Sequence, residues 1–583
     1  MKQRKPAVQL VEENVAESLT TRDQETIADL VGSYRDGRIT RRSFVRSSTA
    51  FGLSMTSLSA VLAACGSSQR SETDTGDKAG GRGKLAIGIP VDVDTLDPQA
   101  IKTIPGYYML ANLYDQLIDL EAKAEDGILV ASGETTAPMI ATKMDVSEDR
   151  KTATFTLNPK ATFADGKPIT VEDVEYTFRR GVEGTQYTAL VMGMLTLSSA
   201  KNIKVVDKQT VEFALDKSNP MLERLMSLQV MSIQSKAVGE QHATGKDKWS
   251  DEYWRANVYG TSAYVLKEQN RGEGFELAPN RNYYQSDLPK NGGLQFRIIS
   301  DAEERLNLLK AGTLHVAYDV PAKDAAAIRD TEGEDVKLIS RPSPWSFGLT
   351  FNNKREPFSD KRVRQALSYA IPYQSIIDQV MFGLARPAKS IVPPGMATHD
   401  PSAWSYDTDP QKAKELLAAA GHPDGFKSSI DVLLGRPEDE RAAILIQASF
   451  REIGVEVEVN KLAEAQYQEK RNAGSSPMQI VEFYSWVTDP FYHMFWNMLS
   501  TNLFTNSSRY DNPKVDKIIQ EGLYEPDGAK RESMSKEAQR LITEDAPWAF
   551  LYARDYFVPV SSRLQDYPLW PDQNPRFYRS HLA

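Results

Sequence analysis

The sequence predicts an α/β protein, and three stretches carry that expectation. Residues 84–90 alternate towards a buried strand, and residues 107–120 then place apolar side chains at helical spacing. Residues 152–157 alternate polar and apolar, Ala164-Asp165-Gly166 supplies a turn, and Thr170-Val171-Glu172-Asp173 can cap a helix reaching Arg180. Strand patterns at 430–434 and 455–460 flank a helical stretch at 438–453, which reads as a βαβ unit.

The remaining elements follow the same logic. Residues 301–311 read as a helix stopped by Gly312, with a strand over 316–320. Residues 360–371 form a helix ended by Pro372. Residues 409–420 form another, with Pro410 in its first turn and Gly421 just past its last, the asymmetry expected of helix ends. An unspecified α/β protein is the plain alternative to any finer reading of these units.

A chain of 583 residues allows two or three domains, and an apolar fraction of 41% is enough for sizeable cores. The formal net charge of -10 supplies no positive field for phosphate backbones, so nucleic acid is not an expected partner. No period of about 20–50 residues repeats, which disfavours solenoids and propellers. After Cys65 no apolar run reaches the roughly 20 residues of a membrane-spanning helix.

Cys65 is the single cysteine, so neither an intrachain disulfide nor a cysteine-based zinc cluster is available. It ends an apolar stretch, residues 51–64, that is too short for an ordinary transmembrane helix. A core helix with a buried thiol is the plain reading. Against it, Arg41-Arg42 precede the stretch, and Gly66-Ser67-Ser68 with a polar run to Gly83 follow it, which is the order of a signal peptide. The segment around Arg41, Arg42 and Phe44 resembles a twin-arginine export signal, and Leu62-Ala63-Ala64-Cys65 resembles a lipobox. These resemblances imply a signal peptide over 1–64, lipid attachment at Cys65, and a flexible tether over 65–83 that holds the protein at a membrane surface outside the cytoplasm.

Five ordered segments carry a broader resemblance. They are the stretch from Asp145 to Leu157, its continuation from Phe163 through Val174, Asn280-Arg281-Asn282-Tyr283-Tyr284, Phe358 to Leu367, and Pro393-Pro394-Gly395. In this order they are similar to the family 5 solute-binding proteins, extracellular binders of peptides, nickel and oligosaccharides that serve ABC importers. The resemblance implies a two-lobed, hinged periplasmic-binding-protein fold, class II-like, with an extra subdomain on the first lobe. The first lobe would comprise 84–128, 258–342 and 545–583, the inserted subdomain 129–257, and the second lobe 343–544. It also implies a monomer without cofactor or bound metal, not an enzyme, that delivers a small solute to permease subunits and through them to ATPase subunits. One departure stands out: the family's usual Gly-Thr-Gly-Pro-Tyr is here Gly260-Thr261-Ser262-Ala263-Tyr264.

For the ligand, the Trp-x-x-Asp spacing of Trp486 and Asp489 resembles the place where dipeptide-binding relatives hold the peptide amine on an aspartate. A carboxylate enclosed with a ligand ammonium would offset its own desolvation. The Asp489-Pro490 pair equally suits a cap or turn. Arg436 stands where relatives place a carboxylate-binding arginine, although Glu438 replaces a relative's tyrosine; a solvated loop arginine is the alternative. Trp345, Tyr484, Trp486 and Tyr107 offer aromatic walls, and the loop from Thr103 to Gly106 offers backbone groups. A peptide or other amine-bearing solute is the leading expectation; an oligosaccharide, an opine or a metal chelate is the alternative. A secreted hydrolase finds neither Gly-x-Ser-x-Gly nor His-Glu-x-x-His in the chain. The six histidines are scattered, and His493 near Asp489 reads as structural. A purely adhesive lipoprotein would show no stabilisation by small solutes.

Overall fold

The computed structural model describes residues 83–583, except Thr185, Glu332 and Glu334. The twin-arginine segment, Cys65 and the tether up to residue 82 lie outside the described residues.

One mixed sheet of eleven strands runs through the molecule. From one edge it passes Glu456–Leu462, Lys427–Leu433 and Met478–Phe483, then the long strands Val336–Phe351 and Trp548–Ser561. It continues through Val316–Ala317, Leu85–Ile89, Leu294–Ile298, Gly274–Pro279 and Tyr264–Asn270, and the eleventh strand, Ala385–Arg386, pairs with Trp548–Ser561 off this path. The two long strands pair antiparallel with each other and share both halves of the sheet. Ser346 to Phe351 also pairs with Met478–Phe483 on one side, while Val560 pairs with Val316 on the other.

The sequence Arg341-Pro342-Ser343-Pro344-Trp345 dictates where this ladder breaks. Two prolines at alternating positions remove two backbone donors from one strand face. The pairing skips register between Pro342 and Trp345, and a second shift falls between Phe347 and Gly348, where no proline stands. Ser343 bridges the first gap: its hydroxyl donates to the Arg554 carbonyl (2.7 Å) and accepts from the Trp345 N–H (3.2 Å).

Helices end where their sequences end them. Thr170 and Asp173 form a reciprocal capping box on Val171–Glu183, the strand Thr152–Leu157 is as expected, and Gly166 takes a positive φ of 85° in the turn between them. Asp301, Asp360 and Asp409 each cap the helix that follows, over Ala302–Lys310, Lys361–Ala370 and Pro410–Ala419. The βαβ unit is present: Lys427–Leu433 and Glu456–Leu462 pair in parallel and are joined by the helix Pro437–Glu452.

Two expectations need correcting. The helix read over 107–120 covers Ile104–Leu110 only, and Ile118–Glu125 is a strand. Tertiary bonding overrides the periodicity here, because the Leu113 carbonyl accepts from the N–H groups of Thr261 and Ser262 (3.0 and 3.3 Å) instead of continuing a helix. The strand read over 316–320 is paired only at Val316–Ala317.

Residues 141–214 contribute a separate four-stranded sheet, ordered Ala141–Val146, Thr152–Leu157, Thr210–Ala214, Ile203–Val205. Its core stacks Phe213 against both Phe155 (5.7 Å) and Phe178 (4.6 Å). Near the C-terminus, Tyr567–Leu569 returns to pair with Ile128 to Val130, and the Arg576 guanidinium ties Asp119 (3.2 Å) to Asp572 (2.7 Å) in the interior. No described helix is long and apolar enough to cross a membrane.

Candidate ligand-binding site

The sequence-predicted residues fall into two groups around the two long strands. Trp345 lies just past the register break, opposite Arg554 in the ladder. Its ring meets Tyr484, which follows the strand Met478–Phe483, edge-on at 5.7 Å. The Tyr484 hydroxyl donates to the Pro571 carbonyl, so the loop after that strand reaches the C-terminal segment. Trp486 packs edge-to-face on Tyr107 at 4.7 Å. Tyr107 belongs to the helix Ile104–Leu110 on the other half of the sheet, so four predicted aromatics line a seam between the halves.

Thr103 and Gly106 are engaged with their own loop. The Thr103 hydroxyl donates to Asp94 (2.7 Å), and a Cβ on Gly106 would stand 2.6 Å from the Ile101 side chain. Gly106 is thus required by close packing, whatever its backbone offers a ligand.

Asp489 is fully buried and its carboxylate is already satisfied. It caps the helix Pro490–Met498, Oδ1 accepting from the N–H groups of Phe491 (2.9 Å) and Tyr492 (3.2 Å). Two guanidinium groups complete its shell, Arg531 at 2.7 Å and Arg224 at 3.4 Å. The desolvation of this carboxylate is offset from within the chain, in the cap arrangement that Asp-Pro also favours.

Arg436 is likewise engaged. Its guanidinium bonds Glu482 and lies 3.9 Å from Asp439. Burial pushes the Asp439 carboxyl up to about 7, against the downward pull of Arg436. Glu438 accepts from the Ala322 backbone N–H (2.8 Å), a further contact across the seam.

His493 is enclosed by Ser485, whose hydroxyl is 2.7 Å from Nδ1, and by Ser346, 3.3 Å from Nε2, with Phe483 edge-on at 4.8 Å. Burial without a carboxylate partner pushes its imidazole down to about 3, so it is neutral and structural.

The residue that sequence reasoning missed is Arg554. It is stacked on Trp345 (4.6 Å) and Phe557 (4.3 Å). The available signal was an Arg-Asp pair in the middle of the otherwise apolar strand Trp548–Ser561.

Residues 135–505 match the family described as bacterial extracellular solute-binding proteins, family 5 Middle, which is well over half of the chain. The chain belongs to this family. Family 5 members are binding proteins, and this one is the solute-capturing component of an ABC importer, working outside the cytoplasm. It is 26% identical over 496 residues to the probable D,D-dipeptide-binding periplasmic protein DdpA of Escherichia coli (strain K12), covering 84% of this chain and 92% of that protein. It is 25% identical over 500 residues to the glutathione-binding protein GsiB of Salmonella typhimurium (strain LT2), covering 84% and 92%. Among solved structures, the fold is similar to the periplasmic binding protein DppA of Helicobacter pylori in complex with the peptide STSA. That match has a TM-score of 0.75 at 22% identity, over 86% of this chain and 98% of that one. These neighbours are two-lobed periplasmic binding proteins, and the chain shares that two-lobed α/β fold.

Proposed function

We propose that this family 5 protein captures a short peptide, or a peptide-like small solute, between its lobes. The observation that carries the reading is the aromatic seam, in which Trp486 of one lobe meets Tyr107 of the other at 4.7 Å and Trp345 meets Tyr484 at 5.7 Å. Rigid aromatic walls hold apolar and planar groups of a ligand at small entropic cost. The D,D-dipeptide and glutathione specificities of the named relatives support the same class. The hinge in this reading is the register break at 342–345, with 343–544 as the second lobe and the four-stranded sheet inside an inserted subdomain over 129–257.

Thermal shift of the chain lacking residues 1–65, against di- to pentapeptides, opines, oligosaccharides and metal chelates, tests it. Peptides are expected to raise Tm in proportion to the logarithm of their concentration above Kd. Stabilisation by sugars or chelates alone would reject the peptide class and keep solute capture.

The protein is further proposed to be exported through its twin-arginine segment and anchored by lipid on Cys65, on the strength of the ordered motifs around Arg41, Arg42, Phe44 and Cys65. Two or three acyl chains hold a protein firmly at a bilayer. Cys65→Ser is expected to move the protein from the membrane to the soluble fraction of cells; retention in the membrane fraction would remove the anchor.

A further inference from the structure

The charges in and around the cleft are unevenly settled. Most buried arginines elsewhere have their donors taken: Arg180 holds Asp97 (2.5 Å) and Asp251 (2.7 Å), Arg576 holds Asp119 (3.2 Å) and Asp572 (2.7 Å), Arg436 holds Glu482, and Arg305 and Arg364 donate to backbone carbonyls. Arg554 has no ion pair among the described residues, and its Nε–H is buried without an acceptor. Its neighbour in sequence cannot help, because successive strand residues face opposite sides of a sheet, and Asp555 is taken by Arg386 (3.3 Å). What holds Arg554 is its two aromatic neighbours, Trp345 at 4.6 Å and Phe557 at 4.3 Å, contacts that leave its N–H donors uncommitted. Trp345 repeats the pattern: its indole N–H is also buried without an acceptor. One stacked pair therefore carries two donors in want of the same kind of partner, an oxygen acceptor.

The pair also stands where a captured solute would be. It forms one rung of the antiparallel ladder between the two long strands, at the register break, with Tyr484 beside Trp345. Burial raises the pKa of both Tyr108 and Asp439, and the Arg554 charge is near enough to each to oppose that rise, so its field reaches both sides of the proposed cleft.

We infer that Trp345 and Arg554 form the seat for a carboxylate of the captured solute, the C-terminal carboxylate in the case of a peptide. This rests on the peptide-like reading above and deepens it: the anion-binding role expected of Arg436 passes to Arg554, because Arg436 is committed to Glu482. A guanidinium held against aromatic rings is suited to paired hydrogen bonds with a carboxylate, and the indole N–H adds a third donor.

The test compares matched acids and amides on the full chain solubilised from membranes: Ala-Ala-Ala with its C-terminal amide, and Gly-Phe with its C-terminal amide. Binding is read by tryptophan fluorescence titration and by thermal shift. The acids are expected to bind about tenfold or more tighter than the amides. Arg554→Met is expected to abolish that difference, and Arg554→Lys to restore part of it. Trp345→Phe keeps the stack, removes the N–H, and is expected to weaken the acids by about threefold while circular dichroism stays unchanged. Equal binding of acid and amide, or an acid preference that survives in Arg554→Met, would overturn the seat. A wild type indifferent to all four probes but stabilised by a sugar or a chelate would overturn it too, and leave solute capture standing. A protein stabilised by no class of solute would overturn both readings.

Discussion

His493 shows how a residue type associated with chemistry becomes inert through its surroundings. Its ring is enclosed by Ser346, Ser485 and Phe483, with no carboxylate against it, and burial alone sets its protonation. The sign of the resulting pH effect is fixed. The folded imidazole titrates near 3 and the unfolded one near its ordinary value of 6.5, so the unfolded state takes up a proton first on acidification. The stability contributed by neutral His493 is present above about pH 6.5 and is lost as pH falls towards 3. Removing the titration with His493→Gln, which retains groups for the two serines, is expected to flatten the loss of stability in this window by up to about 1.4 kcal/mol per pH unit. Urea unfolding of both proteins from about pH 4 to pH 7 measures it; parallel curves would show that His493 titrates normally. Asp439 and Asp115 act in the opposite direction. Both carboxyls are pushed up to about 7 by burial, so each favours the folded state as pH falls from about 7 towards 4.

At the scale of elements, the helix Pro490–Met498 is anchored by its first residue's neighbour. Asp489 serves that helix as cap and serves Arg224 and Arg531 as counter-ion, so one carboxylate joins three pieces of chain. Asp489→Asn keeps a capping oxygen and removes the charge between two guanidinium groups. It is expected to destabilise the ligand-free protein by about 3 kcal/mol, read from its urea midpoint, with affinity for a bound peptide altered little. The reverse pattern, unchanged stability with affinity lost, would return Asp489 to the ligand.

Which elements are legible in the sequence follows from the range of the forces that set them. Capped helices such as Lys361–Ala370 and Pro410–Ala419 are readable because the cap and stop lie within a few residues of the helix. The stretch 107–120 misleads because the partners of Leu113 are Thr261 and Ser262, far along the chain. The same contact explains what the altered Gly260-Thr261-Ser262-Ala263-Tyr264 segment keeps. A Cβ on Gly260 would lie 2.3 Å from the Leu113 carbonyl oxygen, so this glycine is retained while the next glycine and the proline are not. In the site, aromatic residues can be named from sequence, whereas the commitments of Asp489 and Arg436 cannot. Their partners Arg224, Arg531 and Glu482 are distant in sequence, and charge pairing leaves no periodic trace.

At the scale of the whole molecule, one sheet runs through both parts by way of two long strands, and between them lie both polar or aromatic bridges, such as Arg224 to Asp489, Trp486 to Tyr107 and Ala322 to Glu438, and a shared apolar cluster that includes Leu225 and Phe491. Opening the cleft must break these bridges while the ladder between Val336–Phe351 and Trp548–Ser561 persists, because that ladder is the only sheet pairing that joins the halves among the described residues.

The pair of prolines at 342 and 344 therefore does more than interrupt a ladder. A rotation displaces each atom in proportion to its distance from the axis, and the hinge proposed above puts the axis at this interruption. With the hinge there, Trp345 and Arg554, paired beside it, would travel least as the lobes move. Such a layout divides labour like a balance: the load acts at the pivot, and its effect is displayed at the pans, where a permease can read it.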